Sequence, residues 1–178
     1  MNRKPLVALA VTAVVGLSLT ACGDSALAKG AAAYTAQSLA DRAAIEDLLT
    51  RYYNNFGAGA EHTMGEFYAP DGEMILGPKT YKGIKEIEAM YAAVPADAPQ
   101  KKSFALNILI NNLLVVVHGQ TATARLVFTE TITDKQGDAP HILTQGREFD
   151  HLVKRGGQWL IAKRQIMGAN GVPEGWQD

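Results

Sequence analysis

The chain predicts an α+β fold in which helices come first and a curved antiparallel sheet follows. Three observations carry this. Apolar residues recur at helical steps in the first part of the chain and as long β-rich runs in the last part, and short turn motifs separate those runs. A chain of helices followed by consecutive strands is satisfied by packing the helices on one side of a single sheet.

The first helix is expected over residues 38–56, with Ser38 as its cap and Asp41 three residues on as a weaker capping-box acid. Ile45, Leu48, Leu49, Tyr52, Tyr53 and Phe56 form its apolar stripe, and Gly57 and Gly59 stop it. A short second helix is read over 62–68, then a turn at Pro70-Asp71-Gly72, a short strand over 73–76 and a third helix over 83–93. Pro95 and Pro99 punctuate the next stretch. Strands then follow over 104–117, 121–133, 141–155 and 158–167. The last two are joined by Gly156-Gly157, whose freedom at positive φ suits a tight hairpin.

That turn sets a register in which Arg155 faces Gln158, Lys154 faces Trp159, Leu152 faces Ile161 and Asp150 faces Lys163. Glu148, Asp150, Leu152 and Ile161 then share one side of the hairpin, with Phe149, His151, Val153 and Leu160 on the other. Arg147 and Arg164 fall with Phe149, on a face suited to a homodimer contact. The tail after Met167, with three glycines and one proline, reads as irregular chain anchored by Trp176.

The start of the chain has a different logic. Arg3 and Lys4 precede an apolar run that is short for a spanning helix, and small residues lead up to Cys22. Residues 1–21 are therefore expected to be a secretory signal. The residues Leu-Thr-Ala-Cys at its end resemble the lipobox of bacterial lipoproteins, a resemblance that implies acylation of Cys22 and a lipid-anchored protein on the periplasmic or cell-surface side of the envelope. Residues 22–37, rich in small residues, read as a flexible tether, and 38–178 as one domain. Cys22 is the only cysteine, so no disulfide forms within the chain.

Charge excludes some partners. The chain has 17 Lys and Arg against 18 Asp and Glu, and losing Arg3 and Lys4 with the signal moves the net charge from −1 to −3. No basic stripe interleaved with aromatics is present, which argues against nucleic acid. The four histidines, at 62, 118, 141 and 151, have no metal-ligand spacing, and no cofactor motif is present.

The order of RAAIEDLLTRYYNNF, FYAPDGEM, YKGIKEIEAMY, VVVHGQTATARLVF and GREFDHLVKRGGQWLIAKR resembles the SnoaL-like branch of the NTF2-like superfamily over residues 39–167. The resemblance implies the cystatin-like cone, a bent sheet wrapped around a long helix with a pocket at one end. Its members include polyketide cyclases, dehydratases, steroid isomerases and non-enzymatic binding domains. The Asp and His used by dehydratase-type members fall at Arg51 and Asn107, and the acid at the end of the first helix falls near Gly57. An arginine stays protonated and an amide does not titrate, so that base pair is missing. The resemblance leaves Asp150 as the candidate general base of a lyase or isomerase, with Tyr53 or Tyr52 as its partner. A cross-strand ion pair with a lysine explains Asp150 equally well. The expected contacts of a small, mostly apolar ligand are Tyr53, Phe56, Asn107, Glu148 and Asp150.

Overall fold

A computed structural model describes residues 34–54, 64–168 and 170–177. The expectations for the signal, Cys22, Phe56, Gly57 and His62 lie outside those residues. The described chain begins with helix α1 (Ala36–Asn54), whose buried face is Asp41, Ile45, Leu48, Leu49, Tyr52 and Tyr53. Its cap is Thr35 and not Ser38. The Thr35 hydroxyl accepts the Ser38 N–H at 3.0 Å while the Ser38 hydroxyl accepts the Thr35 N–H at 2.9 Å. Ser38 thus fills the reciprocal position of a capping box, and Asp41 is released for another role.

A single 3₁₀ turn (Met64–Glu66) stands where a second helix was expected. Strand β1 (Tyr68–Leu76) starts at once and runs through Pro70-Asp71-Gly72, which deforms the strand instead of ending it. A Cβ at Gly72 would come within 2.9 Å of the Ala69 carbonyl oxygen and 3.0 Å of that of Ile161, so only glycine fits the kink. Strand β2 (Lys79–Lys82) pairs back on β1, and helix α2 (Gly83–Ala92) and a one-turn helix α3 (Pro99–Lys102) follow. Pro99 opens α3, a position where its missing N–H costs nothing. The long strands are β3 (Ala105–His118), β4 (Thr121–Thr133), β5 (His141–Arg155) and β6 (Gln158–Gly168).

The six strands form one sheet in the order β2-β1-β6-β5-β4-β3. All neighbours are antiparallel except β1 and β6, which run parallel, so the sheet is mixed where an antiparallel one was expected. Helix α1 packs on its inner face. Ile45, Leu49, Tyr52, Phe67, Ile87, Leu152 and Ile161, each at most 2 % exposed, belong to one core cluster. Fully burying such a side chain contributes about 1.5–3 kcal/mol.

Two irregularities decide what faces inward. In β3 the register shifts between Asn111 and Leu114, and Asn112 has φ of 52°. In the last hairpin the predicted pairs Arg155–Gln158, Lys154–Trp159 and Leu152–Ile161 are present, but the next pair is His151–Lys163. Ala162 is the extra residue, a β-bulge that exchanges the two faces of β6 beyond it. Asp150 therefore faces Arg164 and not Lys163. Arg164, expected on the outer face with Phe149, points into the core.

Candidate functional site

Strand β5 projects Glu148, Asp150 and Leu152 inward, and all three are essentially inaccessible to solvent, as is Arg164. The guanidinium of Arg164 holds Asp150 through two hydrogen bonds, Nε to Oδ1 at 2.9 Å and Nη2 to Oδ2 at 3.1 Å. The same Nη2 lies 2.9 Å from Glu148 Oε1, an ion-pair contact without the angle of a hydrogen bond. From α1, the Tyr53 hydroxyl donates to Glu148 Oε2. Phenol rings enclose the cation, with Tyr52 4.2 Å and Tyr53 and Tyr68 each 5.7 Å from its central carbon. The Tyr52 hydroxyl meets that of Tyr91 on α2.

Two acids therefore share one cation in a dry, aromatic enclosure. Burial pushes the Glu148 carboxyl well above the usual carboxylate range; Arg164 opposes this, while the charge of Asp150 and a hydrogen bond with it reinforce it. Burial also raises the Tyr53 hydroxyl well above its ordinary value, helped by Glu148. Tyr68 and Tyr91 are pushed well up, and Tyr52 is raised, chiefly by burial. For Arg164 burial works against the charge, but Asp150 and Glu148 hold its pKa well above the usual value. Burial thus favours the neutral form of Glu148 and of the phenols, while the two acids support the charge of Arg164.

Even so, the network is incomplete. Glu148 Oε1 and Arg164 Nη1 are buried and have no hydrogen-bond partner. Leaving such a group unsatisfied costs about 1–3 kcal/mol, more when it is charged.

Of the predicted contacts, Tyr53, Glu148 and Asp150 come together here. Asn107 does not join them: it is exposed on the edge strand β3, opposite Thr131, while its neighbour Ile108 faces the core. Phe56 lies outside the described residues. Arg164, Tyr68 and Tyr91 were not singled out as site residues. The signal for Tyr52 and Tyr53 was the aromatic stripe of α1, whereas nothing in the local sequence announces the bulge that turns Arg164 inward.

A second polar node lies toward the hairpin turn. Asp41 accepts from Lys154 Nζ at 2.6 Å, Trp159 Nε1 at 3.0 Å and Gln37 Nε2 at 3.1 Å. The hydrogen bonds from Lys154 and Trp159 hold its carboxyl below the usual range. Near it a cleft of about 380 Å³ runs along α1, lined by Leu48, Arg51, Glu66 and Trp159 among others and by no member of the inner cluster. Arg51, which stands where dehydratase-type members carry an acid, is exposed there. Among the described residues no group of three or more His, Cys, Asp or Glu is placed to hold a metal ion.

Comparison with known proteins agrees with this architecture. Among solved structures, a protein of unknown function from Mycobacterium tuberculosis is similar at 25 % identity, with a TM-score of 0.61 and 76 % of each chain covered. An NTF2-like protein with a cystatin-like fold from Novosphingobium aromaticivorans is similar at 21 % identity and a TM-score of 0.63, covering 79 % of this chain and 94 % of that one. A protein described as a putative scytalone dehydratase from the same organism is similar at 18 % identity and a TM-score of 0.59, covering 76 % and 97 %. At such identities the last two show the fold alone. No curated protein matches. The family model described as SnoaL-like domain matches residues 37–165, and with the cone, the mixed six-stranded sheet and α1 in place, the chain belongs to the SnoaL-like family of the NTF2-like fold.

Proposed function

We propose that this chain is an exported, lipid-anchored SnoaL-like domain that binds a small, mostly apolar molecule in its cone, with a polar end received by Tyr53, Glu148 and Arg164. The observation that carries the reading is the pair of unmatched buried atoms, Glu148 Oε1 and Arg164 Nη1, within an aromatic enclosure. A buried acceptor and a buried donor that lack hydrogen-bond partners are completed by a molecule that offers both a donor and an acceptor. Native mass spectrometry of the protein purified from its own host should show a retained small molecule. A bare protein mass, together with no thermal shift from any apolar compound, contradicts the reading. Lipid attachment is tested separately by intact mass, where an unmodified Cys22 removes the anchor.

The second reading is a lyase or isomerase that abstracts a proton next to a carbonyl. It is favoured by the raised pKa of Glu148, which is the pattern of a buried acid held ready for proton transfer. Asp150, predicted as the base, takes the substrate proton on one oxygen and gives up one of its two hydrogen bonds from Arg164, while the Tyr53 hydroxyl turns from Glu148 to the developing oxyanion; the proton then returns to the rearranged carbon in an isomerase or passes to the leaving group in a lyase. Turnover abolished in Glu148→Gln and Asp150→Asn, with ligand binding retained, distinguishes catalysis from binding alone.

A further inference from the structure

We propose that Trp176 is a positioning residue for the inner cluster: the C-terminal segment 170–177 clamps the outer face of β5 and β6 beside the bulge at Ala162 and so keeps Arg164 turned inward. Two turns shape the segment. The Gly171 N–H donates to the Gly168 carbonyl at 2.9 Å, and the Trp176 N–H donates to that of Pro173 at 3.2 Å, with Gly175 at a φ of 71°. The Trp176 ring is thereby set 5.0 Å from Phe149 and 5.0 Å from His151. Phe149 is only 3 % exposed, although it lies outside the core cluster and on the opposite face of β5 from Glu148 and Asp150. The aromatic contact with the segment accounts for that burial. Phe149 and His151 are also the two chain neighbours of Asp150, so the indole braces β5 directly behind that acid.

The same clamp is fitted to one register of β6. Past the bulge the outward row of β6 is Lys163, Gln165 and Met167, paired with His151, Phe149 and Arg147. All three lie against the segment. Lys163 and Gln165 line one small crevice with Pro173, Glu174 and Trp176. Gly171 passes Met167 so closely that a Cβ there would lie 2.9 Å from the Met167 Cβ. Without the extra residue, the register set by the Gly156-Gly157 turn would place Lys163 opposite Asp150 and send Arg164 outward beside Phe149. Either register gives Asp150 a cation, so that pairing alone does not choose between them. Ile166, packed against the core, favours the bulged register from inside the sheet. The segment favours it from outside, because in the straight register Lys163, Gln165 and Met167 would all turn inward. The consequence for binding rests on the reading of the inner cluster as the site of a ligand's polar end.

Trp176 lies outside the core cluster, so it can be changed without opening the core. The Nε–H of Arg164, hydrogen-bonded to Asp150, reports the inward position directly in nitrogen-15 NMR. Trp176→Ala should speed exchange of that proton with water roughly fivefold or more relative to the β4 amides of the same sample, and Trp176→Phe, which keeps a ring against Phe149, should restore most of the protection. Thr35→Ala weakens the start of α1 instead and should leave that ratio unchanged, which separates positioning from general loss of stability. Native mass spectrometry of the same variants reads the consequence: a small molecule retained by the wild type should fall in occupancy in Trp176→Ala. An unchanged ratio in Trp176→Ala, or a ratio that moves as far in Thr35→Ala, overturns the clamp even where the wild type holds a ligand. A wild type that holds none while the ratio still moves supports the clamp and contradicts the binding reading.

Discussion

The last hairpin carries two buried ionic nodes, and they differ in how completely they are satisfied. Toward the turn, Asp41 takes hydrogen bonds from Lys154, Trp159 and Gln37, and its pKa is lowered. Its shielding comes from those partners more than from depth in the core. Farther from the turn, Glu148 and Asp150 compete for Arg164, burial raises the pKa of Glu148, and two polar atoms have no hydrogen-bond partner. The first arrangement is what a protein builds to fasten a helix to a sheet. The second is costly to fold, and its open atoms have a use only when another molecule meets them.

Substitutions can break or sharpen this contrast. Arg164→Met should have the largest effect, because removing one member of a buried ion pair costs about 3–5 kcal/mol. Urea denaturation checks this, and a loss well under that range would show that the two acids simply share a proton without the cation. Asp41→Asn should cost about 1–2 kcal/mol, the size of a weakened hydrogen-bond set on a charged group. Thr35→Ala should cost about 1 kcal/mol by removing the cap of α1, which separates the helix's own end from its fastening by Asp41. Glu148→Gln should have the smallest effect, under about 1 kcal/mol, since burial already disfavours the charge that the amide removes.

The pH dependence of stability has opposite signs at the two nodes. Asp41, with its lowered pKa, contributes stability that is present above the ordinary carboxylate pKa and is lost as pH falls through its folded value. Glu148, with its raised pKa, binds its proton more tightly in the folded state. Its contribution is greatest below the ordinary carboxylate pKa and declines as pH rises toward the folded value. A melting-temperature profile should therefore slope downward from acid to neutral pH in the wild type, and the slope should flatten in Glu148→Gln.

How much of this was legible beforehand follows from the range of each interaction. The hairpin turn at Gly156-Gly157, with glycines at φ of 57° and 83°, and the strands 121–133 and 141–155 are local patterns, and they stand where they were expected. The inward set Glu148, Asp150 and Leu152 followed from alternation alone. The partner of Asp150 did not, because Ala162 gives no glycine or proline signal for the bulge that brings Arg164 across. Parallel pairing of β1 with β6 joins segments about ninety residues apart in sequence, and no local pattern encodes it. Tyr52 and Tyr53 were both read as core that could double as site, and both phenols reach the cluster, because an aromatic stripe at helical spacing looks the same in either role.

The account stands on the Glu148 carboxyl being held above the ordinary carboxylate range inside the fold while that of Asp41 is held below it. Carbon-13 NMR of the side-chain carboxyls, followed across the pH range of the folded state, measures both directly. Glu148 should titrate above the ordinary glutamate value and Asp41 below the ordinary aspartate value. A Glu148 resonance that titrates at the ordinary glutamate value, in the protein free of ligand, would contradict the account.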